Sequence, residues 1–582
     1  MRLSPLTPSL AAALLCAAAL CHADEPYQVV FENNVTMKAR DGVTLRADIY
    51  RPKADGKFPV LLERTPYNKY SNIGDGLKGA ARGYVIILQD VRGRNSSEGD
   101  WYPFKCESAD GYDSVEWAAA LPYSNGKVGM IGGSYVGATQ MLAAIAAPPH
   151  LVGIYPTVTA SDYHAHWAYQ GGAFMQLLAQ AWSSALSIDG LQRRAGGTSL
   201  PTHWDLKAPP AEYPLLDPGS AAGLAPYYFD WIAHPTYDDY WKQWSIEGHF
   251  DQIKVPALHL GGWYDIFQDG TIRNYTGIKL HGGSDAARKG QRLVMIPGGH
   301  ASFSQKVGDL DLGKDSALDT WEYGMRWYDN LLKGIDNGIE HEKPVKIFVM
   351  GKNVWRDEDD WPLARAKSTR YFLHSGGAAK SLAGDGSLST VPPAAEPADR
   401  YVFDPEDPMP TQGGPVLGDP KYPPGPLDQR PVENRQDILI YTTPAFQQEM
   451  EVTGPVSLEV YVSSSAEDTD FTGKLVDVWP DGFSENLTDG IIRARYRNSM
   501  EKAELMKPGE IYKLTIDLWS TANVFLPGHR LRVEIASSNF PRFDRNLNTG
   551  GNPETSRSHV PATNVVYHDQ DHPSALIVPV VP

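Results

Sequence analysis

The first part of the chain alternates short apolar runs with segments of helical spacing. Apolar runs of strand length, bounded by polar or glycine-rich residues, lie at Thr44–Tyr50, Phe58–Glu63, Tyr84–Gln89 and Val128–Ile131. Helical spacing is found at Ser114–Leu121 and Gly137–Ala146, and Pro148 and Pro149 end the second segment. Strands that alternate with helices in this way predict a mainly parallel sheet with helices on its faces.

The pattern changes at about residue 150, where aromatic residues become frequent and Met175–Ile188 has helical spacing. Apolar runs return at Ala257–Leu260 and Leu293–Ile296, and Asp319–Leu332 predicts a closing helix. We therefore expect a helical cap over residues 150–248, inserted into one α/β catalytic domain formed by residues 24–149 and 249–342.

The remainder of the chain, residues 343–582, has the residue pattern of an all-β domain. Segments rich in β-branched residues, separated by Pro and Gly turns, are Val345–Met350, Val456–Val462, Ile511–Leu518 and Leu531–Ser537. They predict an antiparallel sandwich or jelly roll. The Pro- and Gly-rich stretch Asp404–Arg435 lies inside this region, so a flexible linker and a long ordered loop both fit it.

The N-terminus has the three-part pattern of a secretory signal peptide over residues 1–23. Arg2 is basic, Leu10–Leu20 contains only Ala, Leu and Cys, and Ala23 is a small residue at the expected cleavage site. The apolar run is too short for a membrane anchor, which predicts a secreted or periplasmic protein. Two of the three cysteines lie in this segment, so Cys106 alone remains and is expected to be structural or inert.

Composition narrows the functional classes. The chain is 42% hydrophobic and 21% charged, as expected of a folded globular protein, and its net charge of −17 disfavours nucleic acid as a partner. No His, Cys or Asp spacing indicates a metal, and no cofactor is expected. A small-molecule substrate is expected, and a homo-oligomer stays open.

The segment Gly132-Gly133-Ser134-Tyr135 combines a strand end, two glycines, a serine and a helix start. A nucleophile elbow needs this arrangement, because the serine backbone is strained and its neighbours must be small. The match to G-x-S-x-G is imperfect, since Val136 stands where the second glycine is expected. We predict that Ser134 is a catalytic nucleophile in an α/β-hydrolase core.

A serine nucleophile needs a base and an acid, which follow it in chain order in this fold. Asp265 comes directly after the strand at Ala257–Leu260, and His300 follows the strand at Leu293–Ile296. Asp265 should therefore orient His300, and His300 should accept the proton of Ser134. Asp269 is the alternative acid.

Roles for one more histidine and for two tyrosines complete the predicted site. His259 lies inside a strand and is expected to be a core residue. The backbone N–H of Tyr135 should be one oxyanion donor, and the Tyr67 hydroxyl is a candidate for the second, because its loop has no glycine-rich run that would offer another N–H. A packing role for Tyr67 is the alternative.

Six separated motifs together resemble the cocaine esterase / X-Pro dipeptidyl-peptidase family of serine hydrolases. They are Arg64-Thr65-Pro66-Tyr67, Asp90-Val91-Arg92-Gly93-Arg94, Asp110-Gly111-Tyr112-Asp113, Gly133-Ser134-Tyr135-Val136-Gly137, Gly262-Trp263-Tyr264-Asp265 and Gly299-His300. The resemblance implies a hydrolase core, a helical cap and a C-terminal jelly roll. It also implies a tyrosine hydroxyl donor at Tyr67 and a triad of Ser134, Asp265 and His300.

The cap is similar to that of the esterases in the family, which implies substrate contacts at Trp167, Trp182 and Phe267; ordinary cap packing is the alternative. The α-amino-acid ester hydrolases have a Glu-Asp pair where this chain has Phe267-Gln268, which argues against a free α-amino group in the substrate. The sequence thus predicts hydrolysis of an acyl ester or amide. An X-Pro dipeptidyl-peptidase, an acylase and a non-catalytic glycan-binding protein are the alternatives.

Overall fold

The structure is a computed structural model that describes residues 26–194, 225–300, 303–551 and 556–582. The predicted signal peptide, residues 1–23, lies outside the described residues. Within the described ranges, no helix is long and apolar enough to cross a membrane.

Ten of the first fourteen described strands form one sheet in the order β1-β2-β4-β3-β5-β6-β9-β10-β13-β14. The strands are β1 (Val29–Lys38), β2 (Thr44–Pro52), β3 (Phe58–Thr65), β4 (Val85–Asp90), β5 (Ser124–Gly133), β6 (Leu151–Thr157), β7 (Tyr169–Gln170), β8 (Ala173–Phe174), β9 (Leu258–Tyr264), β10 (Arg292–Gly299), β11 (Lys306–Val307), β12 (Leu310–Asp311), β13 (Val345–Val349) and β14 (Val354–Glu358). The seven strands from β4 to β13 in the sheet order are parallel, which confirms the predicted α/β sheet.

Helices cover both faces of this sheet. The described α-helices are α1 (Ile73–Ala81), α2 (Glu107–Ala119), α3 (Tyr135–Ile145), α4 (Gln176–Arg194), α5 (Pro226–Ala233), α6 (Asp239–Lys242), α7 (Gln268–His281), α8 (Asp285–Lys289), α9 (Thr320–Lys333) and α10 (Arg430–Glu433). Successive side chains of β3 point to opposite faces, so Leu62 packs in the core with α2 and α3 while Leu61 packs with α1 and α9. This two-sided burial explains why the parallel strands read as continuous apolar runs.

The cap begins later than predicted. Leu151–Thr157, placed in the cap by the sequence pattern, is strand β6 and pairs with β5 and β9 inside the first sheet. Its sequence, with Gly153 and Pro156, carries a weak strand signal, which explains the error. The described cap elements after it are β7, β8 and α4 to α6, whose aromatic side chains share a core with α2 and α3.

The C-terminal region is β-rich, as predicted. Its strands are β15 (Lys367–His374), β16 (Ser387–Ser389), β17 (Asp399–Phe403), β18 (Leu439–Thr442), β19 (Met450–Ser464), β20 (Asp470–Val478), β21 (Ser484–Arg493), β22 (Tyr512–Phe525), β23 (Arg530–Ala536), β24 (Ala562–Tyr567) and β25 (Ala575–Val581). They form one hydrogen-bonded set in which all pairings but that of β16 with β18 are antiparallel.

The structure corrects the predicted start of the C-terminal domain and decides between the two alternatives for its long loop. Val345–Val349 pairs in parallel with β10, so the predicted boundary at residue 343 lies before two strands that belong to the first sheet. An apolar strand pattern does not reveal which sheet the strand joins, which explains the error. The stretch Asp404–Arg435 follows the ordered-loop alternative, because its backbone bonds to the β domain, as in the 2.7 Å bond from Thr411 N to Phe540 O.

Candidate active site

Ser134 stands at a sharp turn between strand β5 and helix α3. Its backbone has φ 62° and ψ −128°, a sparsely populated conformation for a residue other than glycine. A Cβ on Gly132 would lie 2.2 Å from Cγ1 of Val136. The turn therefore requires glycine at position 132, and that empty space accommodates the valine that interrupts the G-x-S-x-G pattern.

The last residue of strand β6 and the two residues after it hold the Ser134 backbone from the other side. Ser134 N donates to Thr157 O at 2.9 Å, and Thr159 Oγ1 donates to Ser134 O at 2.9 Å. Between them Val158 has φ 43°, which is rare for a β-branched residue, and its N–H donates to Leu260 O at 2.7 Å. These bonds fix the strained turn. Sequence reasoning missed this support because no motif marks it.

Asp265 and His300 follow the neighbouring parallel strands β9 and β10, so both emerge at the same sheet edge as Ser134. His300 Nδ1 lies 2.7 Å from Asp265 Oδ1, and Phe267 N donates to the same oxygen at 3.2 Å. The Asp265 side chain is fully buried, which strengthens the pairing. With Nδ1 donating to Asp265, the Nε2 atom of His300 remains to accept a proton. Ser134 and His300 line one cavity.

Asp269, the alternative acid, and His259, the predicted core residue, have other partners. Asp269, in helix α7, lies 2.9 Å from Nε2 of His166. His259 is buried and bonds Gln291 through Nε2 at 2.8 Å. Burial lowers the pKa of His259 to about 4, which keeps it neutral as a packing residue.

Tyr67 extends from the loop after strand β3 to the nucleophile. Its hydroxyl lies 3.5 Å from Ser134 Oγ and accepts a bond from Trp182 Nε1 at 3.1 Å. Tyr67 is 36% exposed as a whole, but the atoms packed around its hydroxyl raise the pKa of that group above its ordinary value, so it stays protonated and can donate. A hydrogen bond from the backbone N–H of Tyr135 acts in the opposite direction and lowers the same pKa.

The Tyr135 side chain joins the start of helix α3 to a buried charge pair. Its hydroxyl donates to Glu107 Oε1 at 3.0 Å and accepts from Phe104 N at 2.8 Å. Glu107 Oε2 accepts from Arg64 Nη1 at 2.8 Å, and neither side chain is more than 4% exposed. Removing one partner would leave a buried charge unpaired, so this network fixes the loop that carries Tyr67 relative to the helix that carries Tyr135.

The structure brings the three predicted substrate-contact residues together beside this site. The Trp167 ring stacks on Phe267 with centroids 4.6 Å apart, and Trp182 meets Trp167 edge-on at 5.4 Å. The Phe267 ring lies 5.2 Å from that of His300. Trp167 and Phe267 are only 1% exposed, and the cavity that Ser134 and His300 line is formed by other residues. Their contact with substrate remains a prediction.

That cavity has a volume of about 400 Å³. Its walls come from the ends of strands β5 and β6, from Phe303 and from the first turns of helix α9. The lining residues are Ile131, Gly132, Gly133, Ser134, Tyr155, Thr157, Val158, His300, Phe303, Thr320, Trp321 and Met325. No Asp, Glu, Lys or Arg is among these residues. The cavity therefore suits an uncharged group.

Cys106 is half-buried and is a free cysteine. Burial raises the pKa of its thiol, which disfavours the nucleophilic thiolate. Across the described ranges, no group of three or more His, Cys, Asp or Glu side chains could hold a metal ion.

Comparison with known proteins places these features in a family. Residues 41–302 match the X-Pro dipeptidyl-peptidase (S15) family, and residues 337–577 match the X-Pro dipeptidyl-peptidase C-terminal non-catalytic domain. The cocaine esterase of Rhodococcus sp. (strain MB1 Bresler) is 37% identical over 586 residues, which cover 94% of this chain and 98% of the esterase.

Two solved structures have the same fold over almost the whole chain. An aminopeptidase from a marine sediment Thaumarchaeota archaeon has a TM-score of 0.83 at 25% identity, covering 96% of this chain and 97% of its own. An α-amino acid ester hydrolase has a TM-score of 0.81 at 26% identity, covering 99% and 100%. The chain therefore belongs to the cocaine esterase / X-Pro dipeptidyl-peptidase (S15) family and is a serine hydrolase.

Proposed function

We propose that this hydrolase cleaves carboxylic esters whose acyl group lacks a free α-amino group, through an acyl-enzyme on Ser134. One observation carries the proposal. The strained Ser134, the 2.7 Å His300–Asp265 pair and the Tyr67 hydroxyl converge at one sheet edge. Nucleophile, base, orienting acid and oxyanion donor are the groups that acyl transfer requires.

In this mechanism Ser134 Oγ attacks the substrate carbonyl carbon while His300 Nε2 accepts the hydroxyl proton. Asp265 holds Nδ1 and stabilises the imidazolium that forms. The Tyr67 hydroxyl and the Tyr135 N–H donate to the oxygen that becomes negative. When the tetrahedral intermediate collapses, His300 returns the proton to the leaving oxygen. Water then hydrolyses the acyl-enzyme with the same base.

Phe267 and Gln268, which follow the proposed triad acid, support a substrate whose acyl group carries no ammonium. Phe267 is buried against His300. The Gln268 side chain donates to Trp263 O in strand β9 at 3.2 Å and accepts from Ser520 N of the β domain at 3.1 Å, so backbone groups engage both ends of its amide. An ammonium needs a carboxylate to compensate for its lost hydration, and neither position supplies one. The similarity to an esterase supports the same substrate class. The signal-peptide pattern of residues 1–23 supports export.

A matched substrate set tests this proposal. Turnover should be measured with phenyl butyrate, butyranilide, phenyl alaninate and an alanyl-prolyl anilide. The proposal predicts that kcat/KM for phenyl butyrate exceeds each of the others by at least about tenfold, or about 1.4 kcal/mol. A preference for the alanyl-prolyl anilide would instead identify an X-Pro dipeptidyl-peptidase, and a preference for phenyl alaninate would identify an α-amino-acid ester hydrolase.

A further inference from the structure

The cavity beside Ser134 is asymmetric with respect to the catalytic groups. It is lined by the nucleophile and by His300 but by neither oxyanion donor, Tyr67 or Tyr135. Both donors lie outside it, and the Tyr67 hydroxyl bonds Trp182, which does not line the cavity either. The volume of this cavity is thus on the side of the base.

The chemistry of acyl transfer determines which catalytic group the oxyanion and the leaving oxygen of the reacting carbon must each face. The developing oxyanion must face its donors. The leaving oxygen must lie within reach of the protonated base, because His300 delivers to it the proton taken from Ser134. Space that the nucleophile and the base share, away from the donors, is therefore where the leaving group lies.

The walls of this space are apolar and firmly held. Met325 is 1% and Tyr155 7% exposed, and the Tyr155 hydroxyl donates to Thr320 O at 2.9 Å, which leaves its ring as the wall. Trp321 is half-buried, and Phe303, 37% exposed, stands at the rim. Apolar area removed from water stabilises a complex by about 25 cal/mol per Å², so such walls favour a large hydrocarbon group.

We propose that this cavity is the leaving-group subsite and that it selects esters of bulky, apolar, uncharged alcohols, with Trp321 and Phe303 as specificity-determining residues. A volume of about 400 Å³ has room for a cyclic alcohol. The inference rests on the proposed function, because it needs the acyl-enzyme mechanism at Ser134.

The test compares butyrates that differ only in the alcohol. Methyl and cyclohexyl butyrate pass through the same butyryl-enzyme, so any difference between them arises before deacylation. The variant is Trp321→Ala. Its matched control is Trp355→Ala, because Trp355 is also half-buried and packs on the same hydrophobic cluster but does not line the cavity. Deacylation is measured separately, from the steady phase that follows the burst with 4-nitrophenyl butyrate.

Trp321→Ala should lower kcat/KM for cyclohexyl butyrate by about tenfold and that for methyl butyrate by less than about twofold, a difference of about 1 kcal/mol. The deacylation rate constant should not change. Trp355→Ala should lower the two values by the same factor. Phe303→Ala should also lower kcat/KM for cyclohexyl butyrate more than that for methyl butyrate. Because Phe303 is exposed, this variant replaces Trp321→Ala if the latter folds poorly.

Equal losses for the two alcohols in both cavity variants would overturn the inference. A slower deacylation in those variants would also overturn it, because the cavity would then hold the acyl group. Failure of the proposed function is distinguishable: wild-type enzyme would then show no burst of 4-nitrophenol and no butyryl group on Ser134, whatever the alcohol.

Discussion

Replacing Tyr67 by Phe removes one hydroxyl and leaves the ring in place. The hydroxyl lies 3.5 Å from Ser134 Oγ and accepts a bond from the N–H of Tyr135, and in the proposed mechanism both groups donate to the substrate oxygen that becomes negative. Loss of one preorganised donor costs about 10²- to 10³-fold in kcat, or about 2.7–4 kcal/mol. KM should change little, because the charge develops after binding.

The structural cost of this change is smaller. Trp182 Nε1 loses an acceptor at 3.1 Å, but Trp182 is only half-buried, so water can replace the bond. We expect a loss of about 1 kcal/mol in the free energy of unfolding. Steady-state kinetics with 4-nitrophenyl butyrate and a thermal melt by circular dichroism measure the two effects separately.

Tyr70→Phe is the matched control for this experiment. Tyr70 lies three residues further along the chain and is 49% exposed; the substitution keeps its ring contact with Lys69 and removes only the bond of its hydroxyl to Lys69. It should leave kcat within about twofold of wild type, since a surface change of this kind is nearly neutral. A Tyr67→Phe enzyme with normal kcat and a lowered melting temperature would refute the oxyanion assignment and leave Tyr67 a packing residue.

Two further predictions concern the acid and the β domain. Asp265→Asn should keep the fold but lower kcat by about 10³- to 10⁴-fold, because an amide cannot hold His300 in the required tautomer; a loss below tenfold in the same kinetic assay would contradict the pairing. Burial raises the pKa of Glu485 to about 8, well above its unfolded value, so the folded state binds its proton more tightly and loses stability as pH rises from about 4.5 to 8. Glu485→Gln should therefore raise the melting temperature more at pH 8 than at pH 5, and an equal change at both pH values would contradict this.

Local sequence was sufficient to predict that the three proposed triad residues meet, because of how parallel sheets are built. Ser134, Asp265 and His300 each follow a strand, and the carboxyl ends of parallel strands meet at one edge. Chain order and strand position therefore indicated which Asp and which His to consider. The structure also separates the two candidate acids, since Asp265 precedes helix α7 while Asp269 lies in its first turn and pairs with His166.

Features that depend on pairing between distant segments could not be predicted from local sequence. Strand β6 was assigned to the cap and β13 to the C-terminal domain, because a strand pattern does not specify its partner. Val158 adopts φ 43° only because Leu260 and Ser134 hold the residues around it. The cavity wall depends on helix α9 packing over β5 and β6, which no local motif indicates.

Site-specific phosphonylation of Ser134 tests the central claim most directly. Wild-type protein is treated with a fluorophosphonate, and the adduct is located by peptide mass spectrometry. We predict one adduct per chain, on Ser134, with no adduct in folded Ser134→Ala and much slower labelling in His300→Ala, which lacks the base. Esterase activity that persists in folded Ser134→Ala, or an adduct on another residue that abolishes activity, would contradict the account.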